Sequence, residues 1–154
     1  MLVVGTPPTG RRGITEAAMD RQAWIRVTAV AALLGALAWI VKWAAIAAQG
    51  GGQSLVDVSV FFVGLVLAAI GSASLTLRLT RGRSAVVTTS AVVGGAVLTV
   101  LLVPGLSIVS NAVFGEGTVA GTEGGIAVLV VALLVVGVTG LRAPATRRAP
   151  VPAG

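Results

Sequence analysis

The sequence predicts an all-α membrane protein, with four transmembrane helices in an antiparallel up-down bundle and both termini cytoplasmic. Three observations lead there. Of the 154 residues, 56% are hydrophobic and only 10% charged, against about 25% charged in soluble domains, so most side chains need lipid as their solvent. The apolar residues gather into four runs, each near the roughly 20 residues that a helix needs to cross about 30 Å of hydrocarbon. When four spans are threaded, the arginines Arg11, Arg12, Arg21, Arg26, Arg78, Arg81, Arg83, Arg142, Arg147 and Arg148 all fall on one side and none on the other. That asymmetry makes their side the cytoplasmic one.

Three segments follow from this reading. Residues 1–22 are expected to be a cytoplasmic N-terminus, disordered as far as about Thr15, where prolines and glycines show no sustained period. Thr15 then caps a short amphipathic helix with Glu16 in its first turn. Met19 is an alternative start. Glu16 and Asp20 separate Arg11-Arg12 from the apolar run, which excludes a twin-arginine export signal. Residues 23–142 form the transmembrane domain, with spans at about 24–48, 56–78, 84–104 and 125–142, and residues 143–154 form a disordered cytoplasmic tail.

In the first span, Trp24 lies about 15 to 19 residues before Trp39 and Trp43, roughly 22 to 29 Å along a helix and close to the separation of the two aromatic belts. Lys42 beside these tryptophans reads as an anchor whose stem follows the apolar surface to the outer interface; the competing reading is an ion site inside the membrane. Ala45 and Ala47 have signal-peptidase spacing, but Lys42 and the two tryptophans just before them argue against cleavage. A glycine-rich outer loop, Gln49 to Ser54, follows. Asp57 stands at the mouth of the second span, and an exposed Lys42–Asp57 interface pair would contribute about 0 to 1 kcal/mol.

The second span carries Gly64, Ala68, Ser72 and Thr76 at four-residue spacing, and the third carries Ser90, Ala91, Gly94 and Gly95. Small residues on one face let helix backbones approach where lipid removes the hydrophobic drive between helices. The link Arg78-Leu79-Thr80-Arg81-Gly82-Arg83 is short, so these two faces are expected to meet each other as the packing face of a hairpin. The hydroxyls of Ser72, Ser74, Thr76, Thr88, Thr89 and Ser90 lie at similar depth and are expected to bond across the hairpin or back to their own helices rather than to line a solute path.

Pro104-Gly105 is expected to end or kink the third span, with a short interfacial helix from Leu106 to Phe114 after it. Gly115 to Gly125 reads as a loose loop in which Glu116 and Glu123 are solvated. The fourth span is a dense Val/Leu run with few small positions, expected to be the most lipid-exposed.

The chain has no Cys, His or Tyr, which removes disulfides, thiolate nucleophiles, imidazole bases, zinc sites and histidine-ligated haem. The three adjacent glycines at 50–52 are not followed by the Lys and Ser/Thr of a phosphate loop. The net charge of +6 comes from arginines beside apolar runs rather than from a basic patch with interleaved aromatics, so no nucleic-acid partner is expected. No catalytic residue, metal ligand or cofactor is expected. The chain therefore reads as a non-catalytic accessory or structural helix-bundle subunit of the cytoplasmic membrane, whose partners are the lipid bilayer and either copies of itself or other membrane proteins. The alternative is a small-solute transporter or channel component acting as an oligomer. In helix count the chain is similar to the small multidrug-resistance exporters. Their coupling depends on a glutamate embedded in the first helix, whereas no acidic residue lies inside the predicted spans here, Asp57 standing only at the mouth of the second.

Overall fold

The computed structural model describes residues 10–49 and 54–142, with side chains described from Asp20 onward apart from 119, 120 and 122. Residues 1–9 and 143–154 of the expected tails, and residues 50–53 of the glycine-rich loop, lie outside the described residues. Four α-helices account for the rest: α1 Gly10–Ala48, α2 Leu55–Leu79, α3 Ala85–Phe114 and α4 Val119–Arg142. Each contains a stretch long and apolar enough to cross a membrane: Asp20–Ala48, Leu55–Leu79, Ala85–Phe114 and Glu123–Arg142.

Local chemistry sets the helix ends. Helix α2 starts with a capping box, in which Ser54 Oγ accepts from Asp57 N at 3.3 Å and Asp57 Oδ2 accepts from Ser54 N at 2.7 Å, so two backbone donors are satisfied reciprocally. Ser84 caps α3 through Val87 N. Between them the chain turns at Gly82, φ 81°, a conformation that glycine adopts without steric cost. Helix α3 stops at Gly115, φ 90°, whose N–H returns to Asn111 O. Helix α1 begins earlier than expected: Gly10 to Thr15 continue into the first span, since no proline follows Pro8 in this part of the chain and Arg, Glu, Ala and Met favour helix.

The core is a cluster of Ala32, Ala36 and Trp39 from α1, Ala68 from α2, Val103 from α3, and Ile126, Leu129, Val130 and Leu133 from α4. Small residues bring the backbones together. On α2, a Cβ built at Gly71 would lie 2.6 Å from Ala32 Cα, and Gly64 faces the Trp39 ring. Gly35 of α1 faces Ala68 N and Gly64 O in return. On α4, Gly137 meets Leu33 and Ala29, Gly140 meets Ala29 and Ser74 Oγ, and Gly125 meets Leu106 and Ser107.

Four sequence expectations change. Gly64 and Ala68 pack on α1 rather than α3; only the lower part of the stripe, Ser72 and Thr76, meets Gly95 of α3, while Gly94 faces open space and Ser90 is exposed. One helix cannot present a single face to two neighbours, and Ala32, Gly35 and Ala36 on α1 complement it better. Pro104 does not end α3, which runs on to Phe114; proline removes one hydrogen bond of the ladder, and long apolar stretches on both sides keep the helix intact. Helix α4 begins at Val119, so Glu123 lies on a helix instead of in a loop. Finally, 39% of the most apolar stretch of α4 is buried but only 6% of that of α3. The most exposed helix is α3 rather than α4, because the glycines of α4 sit against its neighbours.

A buried charge cluster as the candidate functional site

The C-terminal part of α1 presents Trp39, Lys42 and Trp43 at i, i+3 and i+4, positions that share one helical face. Trp39 is fully buried. Its Nε1–H donates to Phe61 O at 3.2 Å, and its ring stacks on Phe61 with centroids 6.3 Å apart. This fixes α1 against the first turns of α2 and leaves Lys42 pointing into the bundle. Lys42 Nζ donates to Glu123 Oε1 at 2.7 Å and lies 5.6 Å from the centroid of Phe61. Trp43 Nε1 donates to the other carboxylate oxygen, Glu123 Oε2, at 2.8 Å. Both oxygens of Glu123 are thus held by adjacent residues of α1, which ties the start of α4 to the end of α1.

This is an internal ion pair, with side-chain exposures of 7% for Lys42 and 16% for Glu123. The expected partner, Asp57, is close by: Lys42, Asp57, Val58 and Phe61 line one cavity of about 210 Å³. Asp57 is 1% exposed. Its Oδ2 is engaged by Ser54 N and Oγ, and its Oδ1 has no hydrogen-bond partner among the described residues. Lys42 therefore stands among two carboxylates and an aromatic face but is bonded to Glu123, and the expected anchor at the lipid interface is instead a buried cation. The sequence reading missed Glu123 because the neighbouring glycines suggested a mobile loop. The available signal was their spacing: Gly121, Gly124 and Gly125 recur every three or four residues, the pattern of a close-packed helix face.

The opposite end of the bundle is basic. Arg21 Nε and Nη2 donate to Leu77 O at 3.2 and 2.5 Å, and Nη2 also to Thr80 Oγ1 at 3.2 Å, satisfying a carbonyl that the end of α2 leaves without a helical partner. Arg78 Nη1 donates to Thr139 Oγ1 at 2.9 Å. Between the two ends the hydroxyls turn back on their own helices: Thr28 to Trp24 O, Ser72 to Ala69 O, Thr76 to Ser72 O and Thr99 to Gly95 O. Ser74 Oγ is buried without a partner among the described residues, pressed against Gly140. Among the described residues, no three Asp, Glu, His or Cys side chains come together as a metal site would require.

Compared with protein-family models, curated proteins and solved structures, the chain matches none.

Proposed function

We propose that this chain is a multi-pass protein of the cytoplasmic membrane, with its four helices antiparallel in an up-down bundle, both termini inside, and a non-catalytic role as an accessory or structural subunit. The observation that carries the role is α3: long, apolar and only 6% buried over its most apolar stretch, it leaves the side turned away from α2 and α4 open to lipid or to another membrane protein. The interior supports the same reading, since the hydroxyls of Thr28, Ser72, Thr76 and Thr99 close onto their own helices and its ion pair joins α1 to α4. Purifying tagged protein from its native host in mild detergent, with mass spectrometry of what accompanies it, tests the role. A stoichiometric membrane-protein partner supports it; a homo-oligomer alone argues against it.

The second reading, transport of a small solute by an oligomer, is favoured by one observation. Among the described residues Asp57 Oδ1 is buried without a hydrogen-bond partner, beside a cavity that Lys42 also lines, and ionisable groups within membrane helices often mark ion or proton paths. A Lys42→Leu protein that assembles normally yet loses a transport phenotype would select this reading.

A further inference from the structure

A groove of about 720 Å³ opens between α1, α2 and α3, inside the range of about 300–1,000 Å³ typical of ligand clefts. Its lining side chains are apolar except for Thr28, whose hydroxyl turns away to Trp24 O. Along α2 it reaches from Leu65 to Leu77, about 18 Å at 1.5 Å per residue and comparable to one leaflet, half of about 30 Å. A further cavity of about 270 Å³ shares Ala69 and Ala96 and continues to Leu101.

The two ends of the groove differ in charge. Trp24 and Leu77 mark the basic end: Arg21 is bonded to Leu77 O, Trp24 is 62% exposed, and Arg81 and Arg83, four and six residues after Leu77 in the link that ends α2, are exposed. Asp57, Glu116 and Glu123 lie toward the other end of the helices.

We propose that this groove binds one acyl chain of an anionic glycerophospholipid, whose phosphate sits on Arg81 and Arg83. The proposal rests on the membrane reading above. Groove length and leaflet depth agree, the lining offers a chain only dispersion contacts, and arginines at an anionic lipid surface attract its headgroups. A helix from a second copy fits less well: at about 10 Å across, it would need roughly twice the cavity's volume over the same length.

The test is native mass spectrometry of protein equilibrated in mixed phosphatidylglycerol and phosphatidylcholine nanodiscs, then released into mild detergent. Wild type is expected to retain phosphatidylglycerol preferentially. Arg81→Gln/Arg83→Gln, which leaves the lining untouched, is expected to cut that retention by about 25-fold, each arginine counting for roughly a factor of five. Ala96→Phe is expected to reduce retention of both lipids with helicity unchanged. Equal retention of the two lipids by wild type, or no response to the arginine variant, overturns the proposal. So does a lipid-free dimer that Ala96→Phe dissociates, which would give the groove to a second copy. Protein washed off native membranes by alkaline carbonate would instead defeat the membrane reading, whereas protein that stays in the membrane but retains no lipid defeats only the groove site.

Discussion

Lys42→Leu is the most informative single change, because the structure turns an expected surface anchor into an internal cation. Its ammonium is bonded to Glu123 at 2.7 Å with 7% of the side chain exposed, and the leucine would leave both Glu123 and Asp57 without it. Breaking one side of a buried pair costs about 3–5 kcal/mol, so the folding constant should fall by roughly 100-fold or more, at about 1.36 kcal/mol per tenfold. Glu123→Gln should cost less, about 1–2 kcal/mol, because the amide oxygen still accepts from Lys42 and Asp57 remains nearby as a counter-charge, the loss being the acceptor of Trp43 Nε1. The double variant Lys42→Leu/Glu123→Leu should return toward wild type, since replacing both members of such a pair by apolar groups is often neutral. Unfolding in mixed micelles, followed by tryptophan fluorescence because Trp39 and Trp43 adjoin the pair, gives all three values. Additive losses in the double variant, or a Lys42→Leu effect below about 0.5 kcal/mol, would refute a coupled internal pair.

Other predictions use the same unfolding assay. Gly71→Ala should destabilise by about 1–3 kcal/mol because its Cβ would lie 2.6 Å from Ala32 Cα in a close-packed seam; Gly94→Ala, in open space, should stabilise by roughly 0.5–1 kcal/mol through helix propensity. Leu133→Ala, at a position 6% exposed, should cost about 2–5 kcal/mol, and Leu98→Ala, at one 58% exposed on α3, much less. Ser54→Ala removes the α2 capping box at a cost of about 1 kcal/mol and should speed amide exchange at Asp57, whose N–H the serine hydroxyl accepts.

The four helices were legible because nearly every signal for them is one-dimensional. Apolar run length, the flanking arginines and the Arg78 to Arg83 link all lie in consecutive residues. What the sequence could not place was which helix meets which. The α2 stripe of Gly64 and Ala68 was visible, but choosing between α1 and α3 as its partner depends on side chains far apart in the chain, such as Trp39 filling the space above Gly64. Of the two outcomes expected at Pro104, an end or a kink, the end does not occur, because a local rule about helix interiors was set against long apolar stretches on both sides that favour continuity. Glu123 was dismissed for its glycine neighbours, though in membrane helices glycine serves close packing as often as turning. Lys42 was singled out as the ionisable group most in need of an explanation. Its partner lies about 80 residues away, at |i−j| of 81, where no local pattern reaches.

The chain is proposed to cross the membrane four times, with the Arg78 to Arg83 link and both termini inside. The chain has no cysteine, so single introduced cysteines report without background. Leu55→Cys and Glu116→Cys, both at exposed positions on the side assigned to the exterior, are predicted to react with an impermeant maleimide in intact cells. Leu79→Cys and Ala145→Cys are predicted to react only after lysis. Labelling of Leu79→Cys from outside, or of all four positions equally in intact cells, would contradict the account.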